Sequence, residues 1–285
     1  MNATGRQSLS TGQRLFLCAI LLLVLLCATA SADAKRYDLM VQGALDSELQ
    51  PLLAALEGSR KVQIDAWTFW TGRIGDKRVV ISRTEVGPLN ATAATVLGIR
   101  YFHPLAIINQ GTAGAHNREL KLWDIVIGVR TVDFSGIEQT HGEAGTGVRL
   151  ERWKPNYNRL RVDGRESVRF ESFPGDARLV EAAMRVPYAR GHLFAGNIGS
   201  ALRFTRELDL IDWVHRTYGT DSEDMESAYA GGVATAMHVP FVAVRIISNT
   251  EWEHRVYERI AGQYCAEFVL AIVRALPKET LRQLK

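Results

Sequence analysis

The stretch from Ser222 to Asn249, S-E-D-M-E-S-A-Y-A-G-G-V-A-T-A-M-H-V-P-F-V-A-V-R-I-I-S-N, constrains the fold more than any other part of the chain. Two acids bracket a Met, a helix of small residues opens at Glu226, and a nearly apolar run follows from Phe241 to Ile247. Such a run, broken only by Arg245, reads as a buried strand, and buried strands belong in a sheet with helices on its faces. Asp224, Met225 and Glu226 then lie just before a helix, and Ser248 and Asn249 just after a strand. Polar groups at the carboxyl ends of strands are where α/β sheets bind ligands.

The rest of the chain repeats this alternation. Strands are expected at Tyr37–Gly43, Leu105–Asn109, Asp124–Val132 and His192–Ala195, the last ending at Gly196-Asn197. Val62–Thr71 and Lys77–Ser82 read as a hairpin pair around Gly75-Asp76. Helices are expected at Asp46–Leu56, Gly87–Tyr101, Ala177–Met184, Thr205–Thr217 and Glu226–Met237, with a last one from about Glu251 to Leu276. The class is α/β: a three-layer fold with a mixed, largely parallel central sheet flanked by helices. Ser135–Gly175, rich in Gly, Arg and Glu, is an irregular excursion from this single domain.

Of the 285 residues 47% are hydrophobic, enough for a sizeable core. The formal net charge of +3 includes Arg6 and Arg14, so the remainder is near neutral. Arginines elsewhere are interleaved with acids, and no nucleic-acid surface is indicated. Arg14, the apolar run Leu15–Ala28 and Ala30-Ser31-Ala32 form a signal-peptide pattern. Cleavage is expected after Ala32, leaving residues 33–285 as an exported domain with no stable membrane partner. The run is short for a transmembrane helix, which needs about 20 residues. Cys18 and Cys27 leave with the leader, and Cys265 is expected as a small core residue.

Three constellations bear chemistry. In Gly43-Ala44-Leu45-Asp46-Ser47-Glu48 a strand ends in small residues and acids open a helix. Helix capping explains the acids, and so does a general base at Glu48. Asn109-Gln110-Gly111-Thr112-Ala113-Gly114 reads as a glycine turn whose N–H groups hold an anion or a sugar, or as a turn that merely needs glycine. The third is the Asp224-to-Asn249 stretch. His103, His116, His141, His192, His215, His238 and His254 show no metal-ligand spacing, and surface or capping roles are expected for them.

Taken in order, the three resemble the nucleoside phosphorylase superfamily, and within it the 5′-methylthioadenosine/S-adenosylhomocysteine nucleosidases. Gly43, Ala44, Leu45 and Glu48 match the family's G-A-M-x-x-E. Asn109, Gly111, Thr112, Ala113 and Gly114 match N-x-G-S-A-G, and Leu120, Asp124, Ile125 and Val126 match L-x-x-x-D-I-V. Asp224-Met225-Glu226 stands for E-M-E. Val239-Pro240-Phe241-Val242 with Arg245, Ile247, Ser248 and Asn249 stands for V-P-F-V-x-x-R-x-I-S-D. The resemblance implies that Glu48 activates a water, that Met225 and Glu226 contact the ribose, and that Thr112, Ala113 and Gly114 support the sugar face. It further implies that Asp224 and Ser248 belong to the substrate site and that Asn249 meets the base. A small-molecule nucleoside, no metal and no cofactor are expected, with a second copy of the chain in a homodimer.

Two departures stand out. The nucleosidases place an Asp general acid at the position of Asn249, and an amide supplies no proton near neutral pH. It does offer one donor and one acceptor, which suits a 6-oxopurine. Gly199 falls where the family has a base-stacking aromatic, with Phe204 some residues on. Gln110 occupies the place of a phosphate-binding arginine of the phosphorylases, so water is the expected nucleophile.

Overall fold

A computed structural model describes residues 36–284; the expected leader at 1–32 lies outside the described residues. The strands are β1 (Leu39–Gly43), β2 (Glu57–Ile64), β3 (Trp67–Ile74), β4 (Lys77–Arg83), β5 (Ile107–Ala115), β6 (Ile125–Asp133), β7 (Ile137–Gln139), β8 (Trp153–Pro155), β9 (Asn158–Leu160), β10 (Val168–Phe170), β11 (Phe173–Pro174), β12 (Leu193–Ser200), β13 (Ser222–Asp224) and β14 (Phe241–Asn249). The helices are α1 (Asp46–Ala54), α2 (Pro88–Phe102), α3 (Ala177–Met184), α4 (Leu208–Tyr218), α5 (Ser227–Ala236), α6 (Ile260–Ala275) and α7 (Lys278–Gln283).

Ten strands form one mixed sheet. β4, β1, β5 and β14 run parallel in its middle, and β2 and β3 extend it as antiparallel strands at one edge. Past β14 the sheet curls: β6 is antiparallel to β14, β12 is parallel to β6 and to β13, and β13 returns antiparallel to β5. β5, β14, β6, β12 and β13 therefore close a ring, and the C-terminal end of β5 pairs with both β13 and β14. Phe241 lies opposite Ile107 and Asn249 opposite Gly114, with a break in register between Ile247 and Asn249 that sets Ser248 out of line.

The period of two in the strands divides the core. Leu39, Val41, Ile108, Val242 and Val244 face one layer, packed under Leu49 and Leu52 of α1 and Val269 and Val273 of α6. Met40, Ile107, Ala113 and Ala243 face the other, under Ile99 and Phe102 of α2 and Ala230 and Ala234 of α5. Helices on both faces make the three layers expected. Each fully buried Leu, Ile or Val contributes about 1.5–3 kcal/mol. Small residues set the approach of α2: a Cβ on Gly98 would meet Met40 Sδ at 2.3 Å.

Several boundaries differ from the sequence reading, each for a local reason. Val62–Thr71 is not one strand; Asp65, with φ of 49°, turns the chain and splits it between β2 and β3. Asn109–Gly114 is not a turn but the second half of β5. Its glycines let other groups approach the strand closely. The helix expected from Glu251 begins at Ile260 as α6, because Thr250 Oγ1 accepts the N–H groups of Glu253 and His254 and starts a loop instead, and a further short helix, α7, follows it. The Ser135–Gly175 excursion carries two small hairpins, β7–β8 and β9–β10, and lays β11 against β6.

Candidate active site

Glu48 follows directly from the β1–α1 junction. As the third residue of α1 it folds back on the helix start, where Oε2 accepts the N–H groups of Ala44 at 2.8 Å and Leu45 at 3.0 Å. Oε1 accepts Thr112 N–H at 3.1 Å and lies 3.5 Å from Thr112 Oγ1. The carboxylate thus caps α1 and tethers α1 to β5, so both readings of the sequence meet in one residue. A Cβ on Gly111 would stand 2.7 Å from Glu48 Oε1, which is why β5 needs glycine there. Gln110 Nε2 donates to the Glu48 carbonyl at 2.6 Å from behind. Burial pushes the Glu48 carboxyl above its ordinary range; the charge of Arg245 and the three N–H donors oppose that push.

Arg245 stands in the middle of β14 and is 1% exposed. Its Nε lies 2.6 Å from Asp224 Oδ2, and Nη2 donates to Asn109 Oδ1 at 2.6 Å. Nη1 donates to the carbonyls of Asn109 and Val244, and Nη2 lies 3.8 Å from Glu226 Oε2. Asp224 also accepts the hydroxyls of Ser200 and Ser227 and the N–H of Glu226 at 3.2 Å. A buried guanidinium therefore holds Asp224 fast, while Glu226 at the start of α5 reaches across to accept Gly87 N–H at 2.8 Å. Burial, reinforced by the charge of Asp224, raises the Glu226 carboxyl to about 7.

These groups open onto one cavity of about 610 Å³. Its wall contains the catalytic and substrate-binding candidates Glu48, Thr112, Ala113, Gly114, Asp224, Met225, Glu226, Ser248 and Asn249. Ser248 Oγ lies 3.1 Å from Ala113 O and from Asn249 Oδ1, which fixes the carboxamide at the end of β14. Among the described residues no group of His, Cys, Asp and Glu is arranged to hold a metal ion.

The wall also holds Tyr257 and Glu223, which the sequence reading left out, and Phe204, which it noted only as the nearest aromatic. Tyr257, in the loop after β14, places its hydroxyl 3.3 Å from Thr112 Oγ1. Phe204 lines the cavity from the segment after β12, whereas Gly199 is inside β12, packed on Phe134 and Thr220. Phe204 therefore stands where Gly199 does not reach, and with Tyr257 it is one of two aromatics on the wall; a Phe shortly beyond a strand's carboxyl end was its signal. Glu223 lines the cavity beside Asn249: a Cβ on Gly114 would lie 3.7 Å from Glu223 Cγ and 3.6 Å from Asn249 Nδ2. Behind Glu223 stands His116, 1% exposed and thus neither a surface nor a capping residue. Its Nε2 lies 3.1 Å from Glu223 Oε2, and Nδ1 lies 2.8 Å from Thr220 Oγ1.

Known proteins share this architecture. The Phosphorylase superfamily model matches residues 38–274. A 5′-methylthioadenosine/S-adenosylhomocysteine nucleosidase of Oceanobacillus iheyensis is 24% identical over 245 residues, spanning 82% of this chain and 97% of that protein. The solved nucleosidase of Neisseria meningitidis, in complex with methylthio-immucillin-A, superposes with a TM-score of 0.68 at 24% identity, covering 84% of this chain and 99% of that one. The native futalosine hydrolase of Helicobacter pylori does so at 0.67 and 18% identity, covering 84% and 97%. With the family's pattern running from β1 into α6, through every strand that builds the cavity, this chain belongs to the phosphorylase superfamily.

Proposed function

We propose that the protein is a purine-nucleoside N-glycosidase of the 5′-methylthioadenosine/S-adenosylhomocysteine nucleosidase type, cleaving the N-ribosidic bond with water. The observation that carries this reading is the buried Glu48 carboxylate, clamped by main-chain donors, on the same cavity as Glu226 and Asn249. Relatives whose names state that activity match the chain over most of its length.

Each group has a task in such a reaction. Glu48 accepts a proton from the attacking water, and its raised pKa makes it the better base. Ribosyl transfer passes through an oxocarbenium-like state, and the nearby carboxylates of Glu48 and Glu226 stabilise its positive charge. Glu226 accepts hydrogen bonds from the ribose hydroxyls beside Met225, and Thr112, Ala113 and Gly114 support the sugar face. Asp224 works through Arg245, which it orients toward Glu226. Asn249, set by Ser248, contacts the base. Gln110 supports water over phosphate, because it is buried against the Glu48 backbone and offers no cation.

A second reading, hydrolysis of 6-oxopurine nucleosides, is favoured by Asn249 itself, an amide where a general acid would serve adenine. The leader pattern supports an exported enzyme. Exposed Leu89, Leu202 and Phe204 support a homodimer, which light scattering of the purified protein checks.

The deciding experiment incubates purified mature protein with methylthioadenosine, adenosylhomocysteine, inosine and uridine, with and without phosphate, and separates the products. Free base and free sugar without phosphate support the proposal. Sugar phosphate formed only with phosphate overturns it in favour of phosphorolysis. Binding without any cleavage overturns it in favour of a nucleoside-binding protein.

A further inference from the structure

The cavity wall changes character next to Glu226. Glu226 Oε1 accepts Gly87 N–H at 2.8 Å, so the loop between β4 and α2 lies against this end of the cavity. From that loop Val86 lines the cavity, and Leu45 lines it from the start of α1. Both are apolar. Immediately outside them the chain is charged: Asp46 follows Leu45, Glu85 precedes Val86, and Arg83 ends β4. Arg83 joins the other two. Its Nη1 donates to Asp46 Oδ1 at 2.7 Å, and its Nε lies 2.8 Å from Glu85 Oε1.

Two observations set this trio apart from an ordinary surface ion pair. Glu85 has φ of 64°, a left-handed conformation that glycine adopts freely and that strains a residue with a Cβ. Such strain persists where the surroundings over-determine it, and it gathers at binding sites. Here the loop is pinned on both sides: Thr84 Oγ1 donates to the Glu85 carbonyl at 3.0 Å, and Asn90 Nδ2 donates to the Val86 carbonyl at 2.9 Å. The second observation is unused hydrogen-bonding capacity. A guanidinium carries five N–H groups. Two of those on Arg83 face the carboxylates, and among the described residues no partner meets the others. The side chains of Arg83, Glu85 and Asp46 are 32%, 49% and 79% exposed, so the trio is open to a ligand rather than sealed.

We infer that Arg83, Glu85 and Asp46 form a subsite for a zwitterionic amino-acid group on the 5′ substituent of the nucleoside, and that the enzyme takes S-adenosylhomocysteine ahead of 5′-methylthioadenosine. This assignment rests on the nucleosidase reading, which puts the ribose at Glu226 and the base at Asn249. A 5′ substituent directed away from the base then passes Leu45 and Val86 before it reaches the charged rim. Adenosylhomocysteine has that order of chemistry: an apolar thioether and two methylenes, then an ammonium and a carboxylate on one carbon. Arg83 meets the carboxylate through its remaining N–H groups, and Glu85 and Asp46 meet the ammonium. Methylthioadenosine ends at the apolar stretch and leaves the rim to water. One cation against two carboxylates also disfavours a 5′ group that is only anionic, such as a phosphate.

The test measures kcat and KM for adenosylhomocysteine, methylthioadenosine and 5′-S-(3-aminopropyl)thioadenosine, which keeps the amine and lacks the carboxylate. The wild type should favour adenosylhomocysteine over methylthioadenosine by tenfold or more in kcat/KM, through KM. Arg83→Met should lower adenosylhomocysteine cleavage about tenfold, the loss expected for one hydrogen bond between charged groups. The two substrates without a carboxylate should change less than about threefold. Glu85→Gly removes a carboxylate and relieves the backbone. It should melt no lower than the wild type and still lose about threefold or more on both substrates that carry the amine. A wild type with no preference, or with a preference for methylthioadenosine, overturns the inference. So does an Arg83→Met loss equal for all three substrates, which marks a tie between β4 and α1 and nothing more. If none of the three is cleaved, the nucleosidase reading fails, and calorimetry still decides the rim: tighter binding of adenosylhomocysteine than of methylthioadenosine supports it, and equal or weaker binding overturns it.

Discussion

The two ends of the cavity are built from different proportions of main-chain and side-chain contacts. At the Glu48 end, carboxylates are held by main-chain N–H groups at helix starts and by a guanidinium buried in β14. At the Asn249 end, side chains share the work with the main chain: Ser248 sets Asn249, and Glu223 meets His116, which rests on Thr220, as well as Thr205 N–H. Phe204 and Tyr257 complete the wall from segments between elements. The first construction is inseparable from the sheet, and the second changes with single substitutions. That division suits a superfamily in which one sugar chemistry serves many bases.

The largest effect is expected where the rigid end meets the reaction. Glu48→Gln should lower kcat about 10³-fold, the usual range for loss of a general base, while calorimetry still detects nucleoside binding. Near-wild-type turnover would remove Glu48 from the chemistry.

Arg245→Met tests whether that end is inseparable from the fold. Removing one partner of a buried ion pair costs about 3–5 kcal/mol, and Asp224 and Glu226 both lose their cation. Thermal unfolding should shift down by about 6–20 °C at a domain size near this one. A shift of only a degree or two would show that the two carboxylates relax without it.

Asn249→Asp tests the plastic end. A carboxyl can donate a proton where the amide cannot, so cleavage of adenosine relative to inosine should rise by tenfold or more, against about 10²–10⁴-fold for a full general acid. An unchanged ratio would move base choice away from Asn249.

Acidity separates the two ends again. The Glu226 carboxyl lies at about 7 in the folded protein against 4.5 for the free side chain. The folded state therefore binds the extra proton between those values, and this residue's contribution to stability falls as pH rises from about 4.5 through about 7. Glu226→Gln takes no proton, so its melting temperature should gain on the wild type between pH 5 and pH 8. Activity runs the other way, since the ribose hydroxyls need the ionised form. Wild-type kcat/KM should drop up to tenfold per unit below about pH 7. A flat profile there would contradict that role.

The smallest effect is expected at Tyr257. Among the described residues its hydroxyl meets Thr112, so Tyr257→Phe should cost about 0.5–1.5 kcal/mol. Substrate KM should rise a few-fold with kcat nearly unchanged. An equal loss in kcat would place Tyr257 in the chemistry.

What the sequence alone determined is local. Apolar strands alternating with helices specified the layered sheet, because side-chain period and burial are properties of short segments. Glu48, Glu226 and Asn249 sit beside element ends and Thr112 lies inside β5; they were legible because their motifs, ambiguous one by one, occur in the family's order. Glycine spacing marked Asn109–Gly114 as special but read as a turn, not as β5 continuing through Ala115 with Glu48 against it. Tertiary structure alone decided the rest. Ser222–Asp224 becomes a strand only because β12 and β5 leave it a place to pair. His116 and Glu223 are 107 residues apart, and each looks ordinary in its own segment. Arg245 interrupts an apolar strand for a reason visible only when Asp224 and Glu226 arrive beside it. A buried charge draws its partners from wherever the closed sheet brings them, and no local pattern encodes that meeting.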